Sequence, residues 1–138
     1  MVLGGTFSGY AKVYSVDGTT ITYISDIYAN AGTMALNSTV NSVSFSPDGK
    51  VLVLGGSFTG RGKIYSVNGT TITYVSDIYA DNNKTYLGGY EIYSVFSPDG
   101  KTLVLNGDFT GKAKVYSING TTVTYISDIY ADNSNTAL

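Results

Sequence analysis

The sequence contains no cysteine, no histidine and no tryptophan. Without cysteine and histidine, it cannot form disulfide bonds, cysteine nucleophiles, Ser-His-Asp triads or zinc sites built from these two residue types. Charged residues make up only 13% of the 138 residues, and the formal net charge is −2. Because nucleic-acid-binding proteins carry a basic patch, this composition argues against a nucleic-acid partner.

Long apolar segments are also missing. No apolar run approaches the roughly 20 residues that a membrane-spanning helix needs. The first five residues lack the basic start and the apolar stretch of a secretory signal peptide. We therefore expect a soluble protein without membrane association, and a location on a virion or cell surface is left open.

The residue types that are abundant are typical of β-structure. The chain has 13 tyrosines and 17 glycines, together with many threonine, valine and isoleucine residues. β-branched and aromatic side chains suit a pleated, half-buried surface, and 138 residues is the length of one ordinary domain. The composition predicts an all-β domain.

A repeat of 51 residues organises the sequence. The motif SPDGK occupies residues 46–50 and 97–101, and an apolar run follows each copy. Proline presets φ for a turn and glycine accepts a positive φ, so the motif predicts a turn between two strands. An Asn-Gly or Asp-Gly pair also recurs, at residues 17–18, 68–69 and 119–120. Such pairs are typical of type I′ hairpin turns.

Each complete copy contains four strand-like segments. The segments of the second copy are residues 40–46, 51–57, 63–67 and 70–76, and those of the third are 92–97, 102–108, 112–118 and 121–127. The first copy opens at Val2, inside the second segment, and continues through residues 11–16 and 19–25. The second segment is apolar at successive positions, as expected of a strand buried on both faces. We predict eleven strands.

This unit of four short strands, with an SPDGK turn after the first, resembles a β-propeller blade of the WD40/YVTN-like kind. The resemblance is carried by VSFSPDGK at residues 43–50 and YSVFSPDGK at residues 93–101. The Trp-Asp and Gly-His pairs are absent, and 51 residues exceed the roughly 40–45 of WD40 blades. The resemblance implies a single domain of three blades, residues 1–36, 37–87 and 88–138, the first of which lacks its innermost strand.

A blade cannot bury both of its faces alone, and propellers usually close with about four to eight blades. Because three blades cannot close a ring, either partner chains complete it or the chain is a fragment of a longer array. We expect the ring to be completed by oligomerisation. A homodimer would supply six blades and a homotrimer nine, and the homodimer is favoured because six lies within the usual range.

Two sets of charged residues recur in every copy. They are Asp26, Asp77 and Asp128, and Lys12, Lys63 and Lys114. The aspartates could hold a metal or act as acid and base, but a residue present in each copy more simply accepts hydrogen bonds from backbone or hydroxyl groups. We interpret the lysines as surface charges that discourage wrong strand pairing.

Residues that break the repeat are better candidates for binding. Four of them lie close together in the sequence: Tyr86, Tyr90, Glu91 and Tyr93. The positions 51 residues earlier hold alanine, threonine, valine and serine, and Glu91 is the single glutamate of the chain. Tyrosine combines a flat apolar ring with a polar hydroxyl, which suits the recognition of sugars or proteins. We predict a ligand-binding surface at these four residues, and no catalytic residue, metal or cofactor.

The sequence thus predicts a non-catalytic, self-assembling propeller repeat protein that serves as a structural or protein-binding module. The alternative is a carbohydrate-binding, lectin-like module on a cell or virion surface. A glycosidase with paired carboxylates is disfavoured, because the chain has one glutamate and its aspartates recur with the repeat. We do not expect an enzyme.

Overall fold

A computed structural model of the protein describes residues 1–6, 11–32, 34–108, 113–134 and 136. Within these ranges the chain forms eleven strands and no helix, and so has no helix with the length and apolar character needed to cross a membrane. The strands are β1 (Val2–Gly4), β2 (Ala11–Asp17), β3 (Thr20–Asp26), β4 (Val40–Phe45), β5 (Val51–Gly56), β6 (Gly62–Asn68), β7 (Thr71–Asp77), β8 (Ile92–Phe96), β9 (Thr102–Gly107), β10 (Ala113–Asn119) and β11 (Thr122–Asp128).

The strands form three antiparallel sheets, one for each copy of the repeat. Sheet 1 has the order β1-β2-β3, sheet 2 the order β4-β5-β6-β7, and sheet 3 the order β8-β9-β10-β11. The all-β class and the three-stranded first sheet are confirmed. The predicted start of one strand at Lys112 lies outside the described residues. Within the described ranges, the three sheets form no closed ring.

The SPDGK motif forms the turn between β4 and β5, as predicted. The N–H of Gly49 donates to the carbonyl of Ser46 at 2.9 Å, and Gly49 has a φ of 71°. The Ser46 hydroxyl donates to the Asp48 carboxylate at 2.6 Å and accepts from the N–H of Val51 at 3.0 Å. The same three kinds of contact recur around Ser97 in the third copy.

The two-residue hairpin turns differ from the predicted type. Asn68 pairs with Thr71, so the central residues of this turn are Gly69 and Thr70. Gly69 has a φ of 59°, whereas Thr70 is not in the positive region. A type I′ turn needs a positive φ at both central positions, and a type II′ turn only at the first. The type I′ prediction is therefore wrong, and the turn has the type II′ pattern.

Sheet 2 is buried on both of its faces. Leu52, Leu54 and Tyr65 pack against sheet 1, and Val51, Val53 and Ile64 pack against sheet 3. Successive side chains of a strand point to opposite faces, so an uninterrupted apolar run supplies both layers. Two hydrophobic cores result, one on each side of the middle sheet, and the predicted burial of β5 is confirmed.

The recurring lysines and aspartates pair with each other inside the sheets. In sheet 2, the Lys63 ammonium lies 2.5 Å from the Asp77 carboxylate, and the Tyr74 hydroxyl donates to the same carboxylate oxygen at 3.2 Å. Burial, with Asp77 nearby, raises the pKa of Tyr74 to about 12. Equivalent groups form in the other sheets, Lys12–Asp26–Tyr23 and Lys114–Asp128–Tyr125.

These contacts decide between the interpretations of the charged residues. The aspartates accept hydrogen bonds within each sheet from a tyrosine hydroxyl, as the structural interpretation expects, and also from a lysine ammonium, which that interpretation did not include. The expectation of surface lysines is wrong for Lys63 and Lys114, which are buried, because both lie on interior strands of four-stranded sheets. In sheet 1 the pair is more exposed, and the hydrogen bond from Lys12 lowers the pKa of Asp26.

We predict that Asp77→Asn lowers the free energy of unfolding by about 3 kcal/mol, because it leaves the buried Lys63 ammonium without its charge partner. Asp26→Asn, the matched change in the more exposed pair, should cost clearly less. Urea denaturation followed by circular dichroism measures both. Equal losses for the two variants would contradict the burial argument.

We predict that Ser46→Ala costs about 1–2 kcal/mol at pH 7, because the buried N–H of Val51 loses its acceptor. The Ser46 hydroxyl also lowers the pKa of the Asp48 carboxyl. The hydrogen bond between the Ser46 hydroxyl and the Asp48 carboxylate therefore contributes fully to stability above about pH 4, the ordinary pKa of aspartate. Its contribution is lost as the pH falls below that value. Urea titrations should show a smaller difference from the natural protein at pH 3 than at pH 7, and a difference that grew on acidification would refute this assignment.

Candidate functional site

The four predicted site residues lie in the connection between β7 and β8 and at the start of β8. Tyr86 forms an isolated β-bridge with Tyr79, and their ring centroids are 5.5 Å apart. Tyr86 is 58% exposed and Tyr90 is 67% exposed. Tyr93 and Glu91 are exposed as well. All four side chains are thus available to a ligand, and their role in binding stays a prediction.

An arginine that the sequence analysis did not single out holds Tyr90. The Arg61 guanidinium lies over the Tyr90 ring, 4.7 Å from its centroid, a distance at which a cation is attracted to the face of the ring. Arg61 has a φ of 59°, and its Nη1 donates to the Ser57 carbonyl at 3.4 Å. The Ser57 hydroxyl in turn donates to the Tyr90 carbonyl. The loop between β5 and β6 therefore positions Tyr90.

A cleft of about 470 Å³ lies beside this arrangement, and both Arg61 and Tyr86 line it. Polar groups on its wall include Asn37 and Thr59, whose side chains hydrogen-bond to each other at 2.9 Å. Tyr90 contacts Arg61, which lines the cleft. Glu91 and Tyr93 are not among the lining residues. The structure thus brings Tyr86 and Tyr90 to one region of the surface and places the other two predicted residues beside it.

The position of Glu91 differs from the one that the repeat implies. The spacing of 51 residues aligns Glu91 with Val40. The strand pairing instead gives Val40 and Ile92 the same position, because they pair with Gly56 and Gly107. A register shift after Val40 adds one residue to β4, as in a β-bulge. Glu91 is consequently exposed ahead of β8, and Ile92 supplies the buried apolar side chain.

Arg61 carried a signal that could have identified it. It breaks the repeat, since the corresponding residues are Tyr10 and Lys112, which lie outside the described residues. It also lies in a Gly-x-Gly turn, where the chain bends tightly. A loop residue that differs in every copy of a repeat protein is a candidate of the same kind as the tyrosines.

A second cleft, of about 950 Å³, lies at the opposite end of the strands. The two SPDGK turns and the hairpin turn of sheet 3 line it, with Asp48, Lys50, Asp99 and Lys101 at its rim. Acidic and basic residues alternate there because the turn motif repeats. Among the described residues, no three carboxylates are close enough together to hold a metal ion.

The WD40 family profile, described as "WD domain, G-beta repeat", matches residues 32–66 of the chain. This segment contains β4, the SPDGK turn and β5, the part of the repeat on which the resemblance to propeller blades was based. No curated protein shows significant sequence similarity to the chain.

Three solved structures share the fold. A functionally unknown protein from Desulfotomaculum acetoxidans matches 85% of the chain with 16% identity and a TM-score of 0.63. Two proteins described as "putative 6-phosphogluconolactonase", from Bacteroides uniformis and Bacteroides fragilis, match 97% and 91% of it with 19% and 18% identity, each with a TM-score of 0.64. The chain spans 34%, 40% and 33% of the lengths of these three proteins.

The two lactonase descriptions contradict the expectation that the protein is not an enzyme. That expectation followed from the absence of histidine and cysteine, and from the single glutamate and the recurring aspartates, which argue against particular mechanisms only. Aspartate, glutamate, lysine and tyrosine can all act as general acids or bases, and the chain contains each of them. We therefore withdraw the exclusion of catalysis. At 18–19% identity, the likeness establishes a shared fold and assigns no reaction to this chain.

The comparisons and the sheets point to the same kind of repeat. The family profile matches the strand–turn–strand segment of the second copy, and the solved structures match nearly the whole three-sheet array. The chain is built of repeats that resemble β-propeller blades of the WD40/YVTN-like kind.

Proposed function

We propose that the protein is a self-associating interaction or structural module, in which two copies join their sheets into a ring of six blades. A WD40-type repeat fold suggests an interaction or structural role. The observation that supports self-association is the state of the two outer faces, which expose apolar side chains whose repeat equivalents are buried between sheets.

The outer face of sheet 1 is apolar and open to solvent. Leu3 is 43% exposed, whereas its equivalents Leu54 and Leu105 are fully buried. Val16 and Ile21 are each more than half exposed, although the corresponding residues of sheet 2 are partly buried against sheet 1. The same side chains that bind one sheet to the sheet before it are thus uncovered here.

The outer face of sheet 3 shows the complementary pattern. Ile129 is 36% exposed, whereas its equivalents Ile27 and Ile78 are 1% exposed because the next sheet covers them. Apolar area gains about 25 cal/mol for each Å² removed from water, so covering both faces favours association. Two copies supply six blades, within the usual range of closed propellers, and three copies would exceed it.

We predict that the protein has about twice its monomer mass of 14.6 kDa at micromolar concentration. Sedimentation velocity and native mass spectrometry measure this directly. Raising the salt concentration should leave the dimer intact, because the contact is apolar and salt screens only charged interactions. A monomer would contradict self-association, and a trimer would contradict the six-bladed ring.

A second function, ligand recognition at the tyrosine-rich connection, has its own support. Tyr86 and Tyr90 expose large parts of their rings, and Arg61 and Ser57 hold Tyr90 in place from the neighbouring loop. Exposed aromatic rings held by a rigid loop favour binding of a flat sugar face or of a protein side chain. We propose a glycan as the first ligand class to test.

We predict that any glycan bound by the protein is lost or at least tenfold weaker in Tyr90→Ala, because the stacking surface is removed. Glu91→Ala tests the predicted acidic contact, and Arg61→Ala tests the support of the ring. Tyr28→Ala, an exposed tyrosine on another connection, is the matched control. A glycan array with these four variants measures the effect, and binding that is indifferent to Tyr90→Ala would rule out this surface.

A further inference from the structure

In sheets 2 and 3, a tyrosine hydroxyl donates a hydrogen bond to the connection that follows the preceding sheet. The hydroxyl of Tyr65 in β6 donates to the main-chain carbonyl of Tyr28 at 3.0 Å, and that of Tyr116 in β10 donates to the carbonyl of Tyr79 at 2.9 Å. Both donor rings are buried, and burial raises the pKa of both hydroxyls, so they keep their protons. This contact therefore recurs with the repeat.

Among the described residues, one tyrosine at the donor position and one carbonyl at the acceptor position of this series do not take part in such a contact. Tyr14 has in sheet 1 the position of the two donors, and the carbonyl of Tyr130 has after sheet 3 the position of the two acceptors. The Tyr14 ring packs edge-on against Tyr23 with centroids 5.9 Å apart, the same arrangement that both internal donors adopt with their own neighbours. The donor is thus oriented on the uncovered face of sheet 1 as its buried equivalents are.

Asn106 in β9 limits which sheets can pack on sheet 3. A Cβ atom on Gly55 would lie 2.4 Å from the carbonyl oxygen of Ile92, and one on Gly4 would lie 2.4 Å from Cγ1 of Val40. These glycines leave room for the first strand of the following sheet. The third copy has Asn106 at this position, so a sheet whose first strand is placed like β4 or β8 would collide with the asparagine side chain.

We propose that sheet 1 of a second copy packs head to tail on sheet 3, as the sheets of one chain pack on each other. The Tyr14 hydroxyl of one copy then donates to the Tyr130 carbonyl of the other, and a ring of two copies contains this contact twice. Within the described ranges, sheet 1 has no strand at the position of β4 or β8, so it leaves space for Asn106. The inference rests on the proposed self-association and specifies which faces meet.

Other occupants of these faces differ in their consequences. Two copies joined through their first sheets would leave the Tyr130 carbonyl without a hydroxyl donor and Ile129 in solvent. A further four-stranded blade would have to displace the Asn106 side chain. Only the head-to-tail contact of two copies uses both outer faces, both leftover hydrogen-bonding groups and the asparagine.

The faces are tested with Ile21→Asp on sheet 1, Ile129→Asp on sheet 3 and Val75→Asp as the control, because Val75 is exposed although sheet 3 packs beside it. Dilution series in sedimentation velocity give the dimer dissociation constants, and circular dichroism checks the fold of each variant. Both end-face variants should weaken the dimer at least tenfold, since each buries a charge, and Val75→Asp should change it less than twofold.

The outcomes separate this inference from the proposed function. If the dimer persists and Ile129→Asp weakens it no more than Val75→Asp does, sheet 3 is outside the interface. The head-to-tail arrangement and the six-bladed ring are then wrong, while self-association survives. If the natural protein is a monomer, self-association itself is wrong.

Two further variants test the specific contacts. Tyr14→Phe should weaken the dimer about 30-fold, because one net hydrogen bond changes a dissociation constant about fivefold and the ring contains two. Tyr28→Phe, which keeps its carbonyl, is the control and should have no effect. Asn106→Gly should leave the dissociation constant within about twofold. Tighter association in Asn106→Gly would show that a strand approaches this position and would overturn the proposal, as would an unchanged dimer in Tyr14→Phe.

Discussion

The fold depends on one constraint: a sheet that is apolar on both faces must be covered on both. The middle sheet meets it, because Leu52 and Leu54 point toward sheet 1 while Val51 and Val53 point toward sheet 3. The outer sheets are built from the same repeat, and among the described residues each of them packs on one neighbouring sheet. The array is therefore an open series of layers, and everything proposed about association follows from the two faces at which the series is uncovered.

Much of this architecture could be predicted from the sequence, because a repeat supplies its own control. The SPDGK motif occurs twice, each time after a phenylalanine and before a segment that ends in Leu-Val-Leu, so its turn and the buried strand behind it could be predicted together. The fate of Lys63 could not, since a lysine on a strand is ordinarily exposed and its burial depends on a partner 14 residues away. The extra residue in β4 was equally invisible, because a bulge changes the pairing without changing the sequence spacing.

The candidate site was predictable only where it departs from the repeat. Tyr86 and Tyr90 replace small residues of the first copy, and both are exposed in the structure. Arg61 replaces other residue types too, but its contact with Tyr90 joins two connections that are far apart in the sequence. Residues that recur in every copy build much of the sheets, whereas Tyr86, Tyr90 and Arg61 break the repeat on the connections. Any catalytic activity would likewise depend on residues that break the repeat, because the fold itself is shared with proteins that carry an enzymatic description.

The hydrogen bonds between Tyr65 and Tyr28 and between Tyr116 and Tyr79 have an acceptor that every amino acid possesses, a main-chain carbonyl. A substitution at the accepting position changes a side chain and keeps the oxygen. The connections between sheets can therefore diverge in composition during evolution while the blades stay attached, provided that the tyrosine of the next blade is kept. Attachment thus depends on a main-chain atom of the connection, and the side chains of the same connection can change without remodelling the scaffold.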